Sequence, residues 1–186
     1  MALVKLADNN RTDKNTLHSY LPLYDQLLLS RKQSAKNVLE VGIYQGGSIK
    51  LWKDYFKNAV VYGLDIMELD RVWNVLRNDP RIILYTSTDA YNENFFKQNF
   101  IERNLRFDFM IDDGPHTLES MKSFIKLYSQ LLTDNGILII EDVQSWDWIE
   151  ILKQEVPPHL KGFVKVYDLR KNKNRYDDIV FTIDRS

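Results

Sequence analysis

Cysteine is absent from the 186 residues. Its absence excludes a disulfide framework, a thiolate metal site and a thiol nucleophile. A chain without thiols is compatible with a reducing compartment, and a cytoplasmic location is the expectation. Long apolar runs are missing too. Residues 136–140, Gly-Ile-Leu-Ile-Ile, form a typical apolar run, far short of the roughly 20 residues that cross a bilayer. The opening MALVKLADNNRTDK has neither a long apolar segment nor a small-residue cleavage site, so no secretory signal is expected. Net charge is scarce: 25 Lys and Arg against 26 Asp and Glu leave −1. Such a chain lacks the global field that drives non-specific nucleic-acid binding, and neither nucleic acid nor membrane is expected as a partner. Proline (5) and glycine (7) are sparse, yet three of the glycines, Gly42, Gly46 and Gly47, fall within six residues.

What is present is ordinary for a globular protein: 44% hydrophobic and 27% charged residues. The length suits one domain over residues 1–186, residues 1–35 forming a cap and 36–186 a core. Short apolar strands are expected over residues 37–43, 59–66, 81–85, 107–111 and 136–140. Helices are expected between them over 49–56, 71–77, 91–104, 117–132 and 145–155. Ser48 is the expected N-cap of the first of these. Continuously apolar strands alternating with helices imply an open, doubly wound α/β sheet, mostly parallel. The last two strands, over 163–169 and 179–184, have no helix pattern between them and should form an antiparallel hairpin at the sheet edge. The basic run 170–175 reads as the solvated turn of that hairpin, and His159 as a surface residue. The first 35 residues should fold over the sheet as one or two helices.

Ligands in such sheets bind at the carboxyl ends of the strands. There the sequence places Glu40-Val-Gly42-Ile-Tyr44-Gln-Gly46-Gly47-Ser48, then Asp65, Thr86-Ser87-Thr88-Asp89, Asp112-Asp113-Gly-Pro-His116 and Glu141-Asp142. Glycines between a strand and a helix let backbone approach a ligand closely. The dinucleotide fingerprint G-x-G-x-x-G fails because Tyr44 stands two residues after Gly42, which weighs against an NAD-dependent oxidoreductase. An acid at Asp65, about twenty residues on, can accept hydrogen bonds from ribose hydroxyls. Two adjacent acidic pairs and an imidazole need a neighbouring cation or donors to offset repulsion. Their oxygens suit a hard cation such as Mg²⁺.

These motifs, with Thr12-Asp13-Lys14 through His18, Tyr20, Tyr24 and Asp25, resemble the class I S-adenosylmethionine (SAM) methyltransferases. Within that class they look like the metal-dependent macrolide-sugar O-methyltransferase and cephalosporin-hydroxylase-like group, over about residues 11–150. The resemblance implies a single Rossmann-like domain with a seven-stranded sheet, a C-terminal antiparallel hairpin and an N-terminal helical cap. It implies SAM as methyl donor, Mg²⁺ as metal and a small-molecule hydroxyl acceptor such as a sugar. Gly42, Tyr44, Gly46 and Ser48 would line the methionine part of SAM and Asp65 would hold the ribose. Ser87, between Thr86 and Thr88, would lie near the adenine. Glu40, Asp112 and His18 are further expected cofactor contacts. Asp113 and Asp142 match metal-ligand positions, and Asp25 would complete the metal or substrate site. His116 matches the general base, with Asp113 beside it in the catalytic group.

Pro115 replaces a commoner Ser in the D-D-G-x-H run, and the usual glycine near Ser87 is missing, so no particular acceptor transfers. Trp146 and Trp148 read equally as an aromatic wall for a sugar ring and as core residues of an amphipathic helix. Two alternatives stand beside the main reading: a non-catalytic SAM-binding protein, and an O-methyltransferase of a non-sugar molecule such as a catechol or antibiotic. With no separate acceptor domain in the sequence, the acceptor is expected to be held by the first 35 residues, the loops after the strands, or a partner copy in a homo-oligomer.

Overall fold

The computed structural model describes residues 2–186. Seven strands form one sheet: β1 (Asn37–Val41), β2 (Val60–Leu64), β3 (Ile82–Tyr85), β4 (Phe107–Asp112), β5 (Leu132–Ile140), β6 (Val164–Asp168) and β7 (Ile179–Asp184). Their order is β3-β2-β1-β4-β5-β7-β6. The first five run parallel, while β7 is antiparallel to both β5 and β6. The expected fold class and C-terminal hairpin are therefore present. The strand order reverses between β1 and β4, so a crevice opens there at the carboxyl ends.

The two faces of the sheet are both buried, which is why the strands read as apolar throughout. Side chains alternate across it: Leu39, Met110, Leu138 and Ile140 enter one core, while Val38, Phe109, Ile111, Ile137 and Ile139 enter the other. The second core is covered by α1 (Leu3–Leu6), α2 (Tyr20–Leu28) and α3 (Gly47–Tyr55). Trp52 of α3 packs edge-on against Phe109 at 5.0 Å. The first core is covered by α4 (Glu93–Phe96), α5 (Leu118–Tyr128) and α6 (Trp148–Glu155). Buried Met121, Phe124, Ile125 and Tyr128 give α5 its helical stripe, and Thr117 with Ser120 closes a capping box at its start.

Several expected elements differ, each for a local reason. The cap of α3 is Gly46, in the left-handed region at φ 88°, and Ser48 lies inside the helix. Residues 71–77 form no continuous helix but two 3₁₀ turns, Leu69–Arg71 and Asn74–Leu76. Between them Trp73 N–H donates to the Gln45 carbonyl at 2.9 Å, which holds the backbone extended. The helix expected over 91–104 begins at α4 and continues as a π-helical stretch, Lys97–Ile101. The turn expected at 134–136 is contained within β5, where the register against β4 jumps from Phe107↔Leu132 to Phe109↔Ile137. A short helix, α7 (Arg170–Lys173), carries most of the basic run between β6 and β7. Trp148 packs partly into the first core, whereas Trp146 stands 48% exposed beneath the Arg170 guanidinium. His159 is exposed, as expected. No helix among the described residues is long and apolar enough to cross a membrane.

Candidate functional site

A cleft of about 720 Å³ opens at the carboxyl ends of β1, β2 and β4. Its wall holds Gly42, Tyr44, Ser48, Asp65 and Asp113 from the sequence-derived set, together with Gln45, Met67, Thr88, Asp89 and Tyr91. Gly42 (φ 82°) turns the chain out of β1, and a Cβ there would stand 2.0 Å from the Asp113 carbonyl oxygen. Only glycine lets the loops after β1 and β4 touch in this way. Asp65 accepts from Tyr44 N–H at 2.8 Å and Met67 N–H at 2.9 Å. These bonds fix its carboxylate at the cleft while leaving each oxygen a further lone pair.

Four non-glycine residues at strand ends have positive φ: Tyr44 (48°), Ser87 (52°), His116 (54°) and Asp142 (56°). Such strain, of order 1–3 kcal/mol each, tends to gather at functional sites. Here all four are expected site residues. The sequence gives no sign of it, because none is a glycine.

The near side of the cleft is closed by residues 9–13 and Thr16 of the N-terminal segment. The Arg11 guanidinium lies 4.0 Å from the Trp73 ring centroid. Its carbonyl occupies the space where a Cβ of Gly47 would be, 2.0 Å away. From this strap Lys14 enters the interior, 1% exposed. Its Nζ donates to Asp113 Oδ2 at 2.6 Å and to Glu141 Oε1, and lies 3.5 Å from Glu40 Oε1. Lys14 is thus the cation that the adjacent acidic pairs require. Burial pulls its pKa down, but Asp113, Glu141 and Glu40 outweigh that and hold it well above the ordinary value. Three carboxylates share this one ammonium. Burial first, then the charge of Asp113, push the Glu141 carboxyl well up. Glu40 is raised as well, chiefly by burial.

On the outer side of this cluster, His116 Nε2 lies 3.6 Å from both Asp113 Oδ1 and Asp142 Oδ2. These three side chains offer ligand atoms within 4.8 Å of one another. Asp142 is buried on its other side, where the Tyr20 hydroxyl donates to Oδ1. Burial raises its carboxyl, with His18 and the Tyr20 bond opposing. Two carboxylate oxygens converging beside an imidazole form a donor set that fits a hard divalent cation.

Other expected residues fall elsewhere. Glu40 is fully buried beneath the cleft, accepting from Trp52 Nε1 at 2.9 Å. Asp112 is buried behind it, accepting from the Tyr91 hydroxyl at 2.6 Å. Gly46 and Ser87 do not line the cleft, whereas Thr88 does. His18 faces acids instead of the cleft, with Nδ1 2.7 Å from Asp178 Oδ1. Asp25 is not drawn into the acidic site at all. It follows Tyr24 by one residue on α2, about 100° round the helix, and accepts from Leu3 N–H at 3.3 Å. Tyr24, not Asp25, reaches inward, donating to Glu141 Oε2 at 2.5 Å. Lys14, Tyr20 and Tyr24, motif residues to which the sequence assigned no role, are site residues as well. The need for a cation beside two acidic pairs, and the four-residue spacing of the tyrosines, were the available signals.

No protein-family model matches the chain. It is 29% identical over 154 residues to mycinamicin VI 2''-O-methyltransferase of Micromonospora griseorubida, which is 78% of this chain and 37% of that one. It is 28% identical over 153 residues to 8-demethyl-8-alpha-L-rhamnosyl tetracenomycin-C 2'-O-methyltransferase of Streptomyces olivaceus, 78% and 39% of the two chains. The solved structure of MycE methyltransferase from the mycinamycin biosynthetic pathway, in complex with Mg, SAH and mycinamycin VI, aligns with 99% of this chain and 53% of its own, at a TM-score of 0.75 and 22% identity. The chain has the class I methyltransferase fold and resembles antibiotic-sugar O-methyltransferases. It spans under two fifths of the length of these curated relatives. Within that methyltransferase fold, the glycine turn after β1 and the acid after β2 border the cleft, and the acids after β4 and β5 converge at its rim.

Proposed function

We propose that this chain is a methyltransferase domain, acting as one unit over residues 1–186, that moves a methyl group from SAM to a hydroxyl of a sugar-bearing small molecule. One observation carries the reading. The cleft bordered by Gly42, Tyr44, Ser48 and Asp65 shares Asp113 with the group formed by Asp113, His116 and Asp142. A donor pocket and a deprotonating site therefore meet at one residue. Curated relatives are named as O-methyltransferases of a rhamnosyl tetracenomycin and of an L-olivosyl-oleandolide, which supports a sugar hydroxyl as acceptor. Residues 1–35 act as the cap, since Leu3, Tyr20, Tyr24 and Leu28 pack into the sheet's second core.

Asp65 would hold the ribose hydroxyls of the donor, and the Gly42 turn would let backbone meet its methionine part. The acceptor oxygen would attack the methyl carbon in line. A C–O bond forms, the C–S bond breaks and its electron pair stays on sulfur, leaving S-adenosylhomocysteine (SAH). His116 would take the hydroxyl proton on its ring nitrogen. Asp113 and Asp142 would hold Mg²⁺, which when bound lowers the pKa of a neighbouring hydroxyl. Wall residues of the strap would keep water from the donor and fix its orientation, so that part of the barrier is met by positioning.

Titration calorimetry tests the donor claim: the protein should bind SAH, and absence of binding by both SAM and SAH would sink it. Transfer of labelled methyl to rhamnosides should stop after chelation and return with Mg²⁺. His116→Ala should slow transfer by about 10²–10⁴-fold while leaving SAH affinity within about twofold. Undiminished transfer in the variant would remove His116 from the mechanism.

A further inference from the structure

Asp113 and Asp142 turn only one oxygen each toward His116, Oδ1 and Oδ2 respectively. The opposite oxygens are taken. Asp113 Oδ2 accepts from Lys14 Nζ. Asp142 Oδ1 accepts from the Tyr20 hydroxyl and lies 3.3 Å from His18 Nδ1. These anchors all come from one stretch, Lys14 to Tyr20, and all are buried. Each is in turn held from behind. Lys14 is pinned by Glu141, whose second oxygen is tied to Tyr24. His18 is set by Asp178, which is wholly buried at the start of β7. Tyr20 lies stacked between His18, at 4.8 Å, and Tyr24, at 5.6 Å.

We propose that Lys14 and Tyr20 are positioning residues: each holds one oxygen, of Asp113 and Asp142 respectively, so that Asp113 Oδ1 and Asp142 Oδ2 stand presented as a pair of single-oxygen ligands for a divalent cation. The proposal rests on the reading that this pair takes such a cation. The physical reason is rotational. A carboxylate free to turn about its bond to Cβ samples two-oxygen and one-oxygen arrangements. A donor fixed on one oxygen removes that freedom before the cation arrives. Partners behind metal ligands commonly govern 10–100-fold in metal affinity.

Lys14 makes the proposal separable from simple charge balance. If its ammonium acted only as a resident competitor for the acids, removing it would make the site more negative and tighten cation binding. If it holds Asp113 in place, removing it weakens binding in spite of the added negative charge. Tyr20→Phe is the cleaner probe, since it deletes one hydroxyl, leaves the ring stack in place and changes no charge.

The experiment uses the full chain and Mn²⁺, read by the electron-paramagnetic-resonance signal of the free and bound ion, with SAH calorimetry and thermal unfolding as controls for the fold. Tyr20→Phe should weaken Mn²⁺ binding by about tenfold or more and alter the spectrum of the bound ion, with SAH affinity within about twofold. Lys14→Met should also weaken it. Unchanged Mn²⁺ affinity and spectrum in Tyr20→Phe, or tightened binding in Lys14→Met, overturns the proposal. Should Lys14→Met fail to fold, Tyr20→Phe decides alone. Failure of the unaltered chain to bind Mn²⁺ overturns instead the metal reading on which the proposal stands.

Discussion

Gly42→Ala is the sharpest probe of how the sheet and the site are joined. At Gly42, φ is 82°, and a Cβ would lie 2.0 Å from the Asp113 carbonyl oxygen, 2.4 Å from its carbon and 2.8 Å from Gly114 Cα. All three are backbone atoms, so no side chain can swing aside. The left-handed conformation costs alanine about 1–2 kcal/mol. Forcing apart close-packed atoms costs about 1–3 kcal/mol more. The expected loss is therefore about 2–5 kcal/mol, from a stability that for such domains is about 5–15 kcal/mol. Asp113 N–H donates to the Val41 carbonyl at 2.8 Å, so the strain enters the turn that presents Asp113. Urea unfolding followed by tryptophan fluorescence measures the loss, and calorimetry with SAH and Mn²⁺ reads the site. The variant should be destabilised by that amount and should bind both ligands at least about tenfold more weakly. A loss below about 0.5 kcal/mol with unchanged SAH binding would refute the argument that this contact sets the cleft.

Two further perturbations probe buried charge. Arg31 is 1% exposed and donates to the Asn135 carbonyl at 2.5 Å, the Leu27 carbonyl at 2.8 Å and Asp184 Oδ1 at 2.5 Å. Arg31→Met strands Asp184 and should cost about 3–5 kcal/mol in urea unfolding; a cost under about 1 kcal/mol would show the pair to be dispensable. The Asp112 carboxyl is pushed up to about 7, chiefly by burial, with the charge of Asp113 adding and the Tyr91 bond opposing. Its folded-state value lies above its unfolded value of about 3.9. The folded chain thus binds the extra proton, and this contribution to stability is full below about pH 4 and lost as pH rises through about 7. In chelator-treated protein, urea midpoints should fall over that window, and Asp112→Asn should flatten the fall. Parallel pH profiles for the two proteins would contradict the assignment.

Much of the fold was legible because buried parallel strands announce themselves as apolar runs, and each of β1 to β5 overlaps an expected strand, though β5 begins four residues early. The hairpin of β6 and β7 followed from the absence of a helix pattern between them. Helix extents were less legible. At 69–77 the Trp73 amide is taken by the Gln45 carbonyl, a long-range bond that local periodicity does not encode. The site divided in the same way. Gly42, Asp65, Asp113, His116 and Asp142 were visible because strand ends are marked by a change from apolar to polar residues. The destination of side chains arriving from outside the sheet was not. Asp25 and Tyr24 are neighbours in sequence, yet only the helix rotation directs Tyr24 inward. His18 was expected at the cofactor and instead faces Asp178, 160 positions away.

The sequence by itself determined the layered architecture and the end of the sheet at which chemistry gathers, because burial of apolar strands and the chemistry of turns are local properties. Tertiary structure alone decided which charges meet. Lys14 becomes the shared counter-ion of Glu40, Asp113 and Glu141 only when the strap crosses the sheet and carries it 99 and 127 positions along the chain to Asp113 and Glu141. Electrostatic partners are set by distance in space and by exclusion of water, and neither quantity is written in the order of the residues.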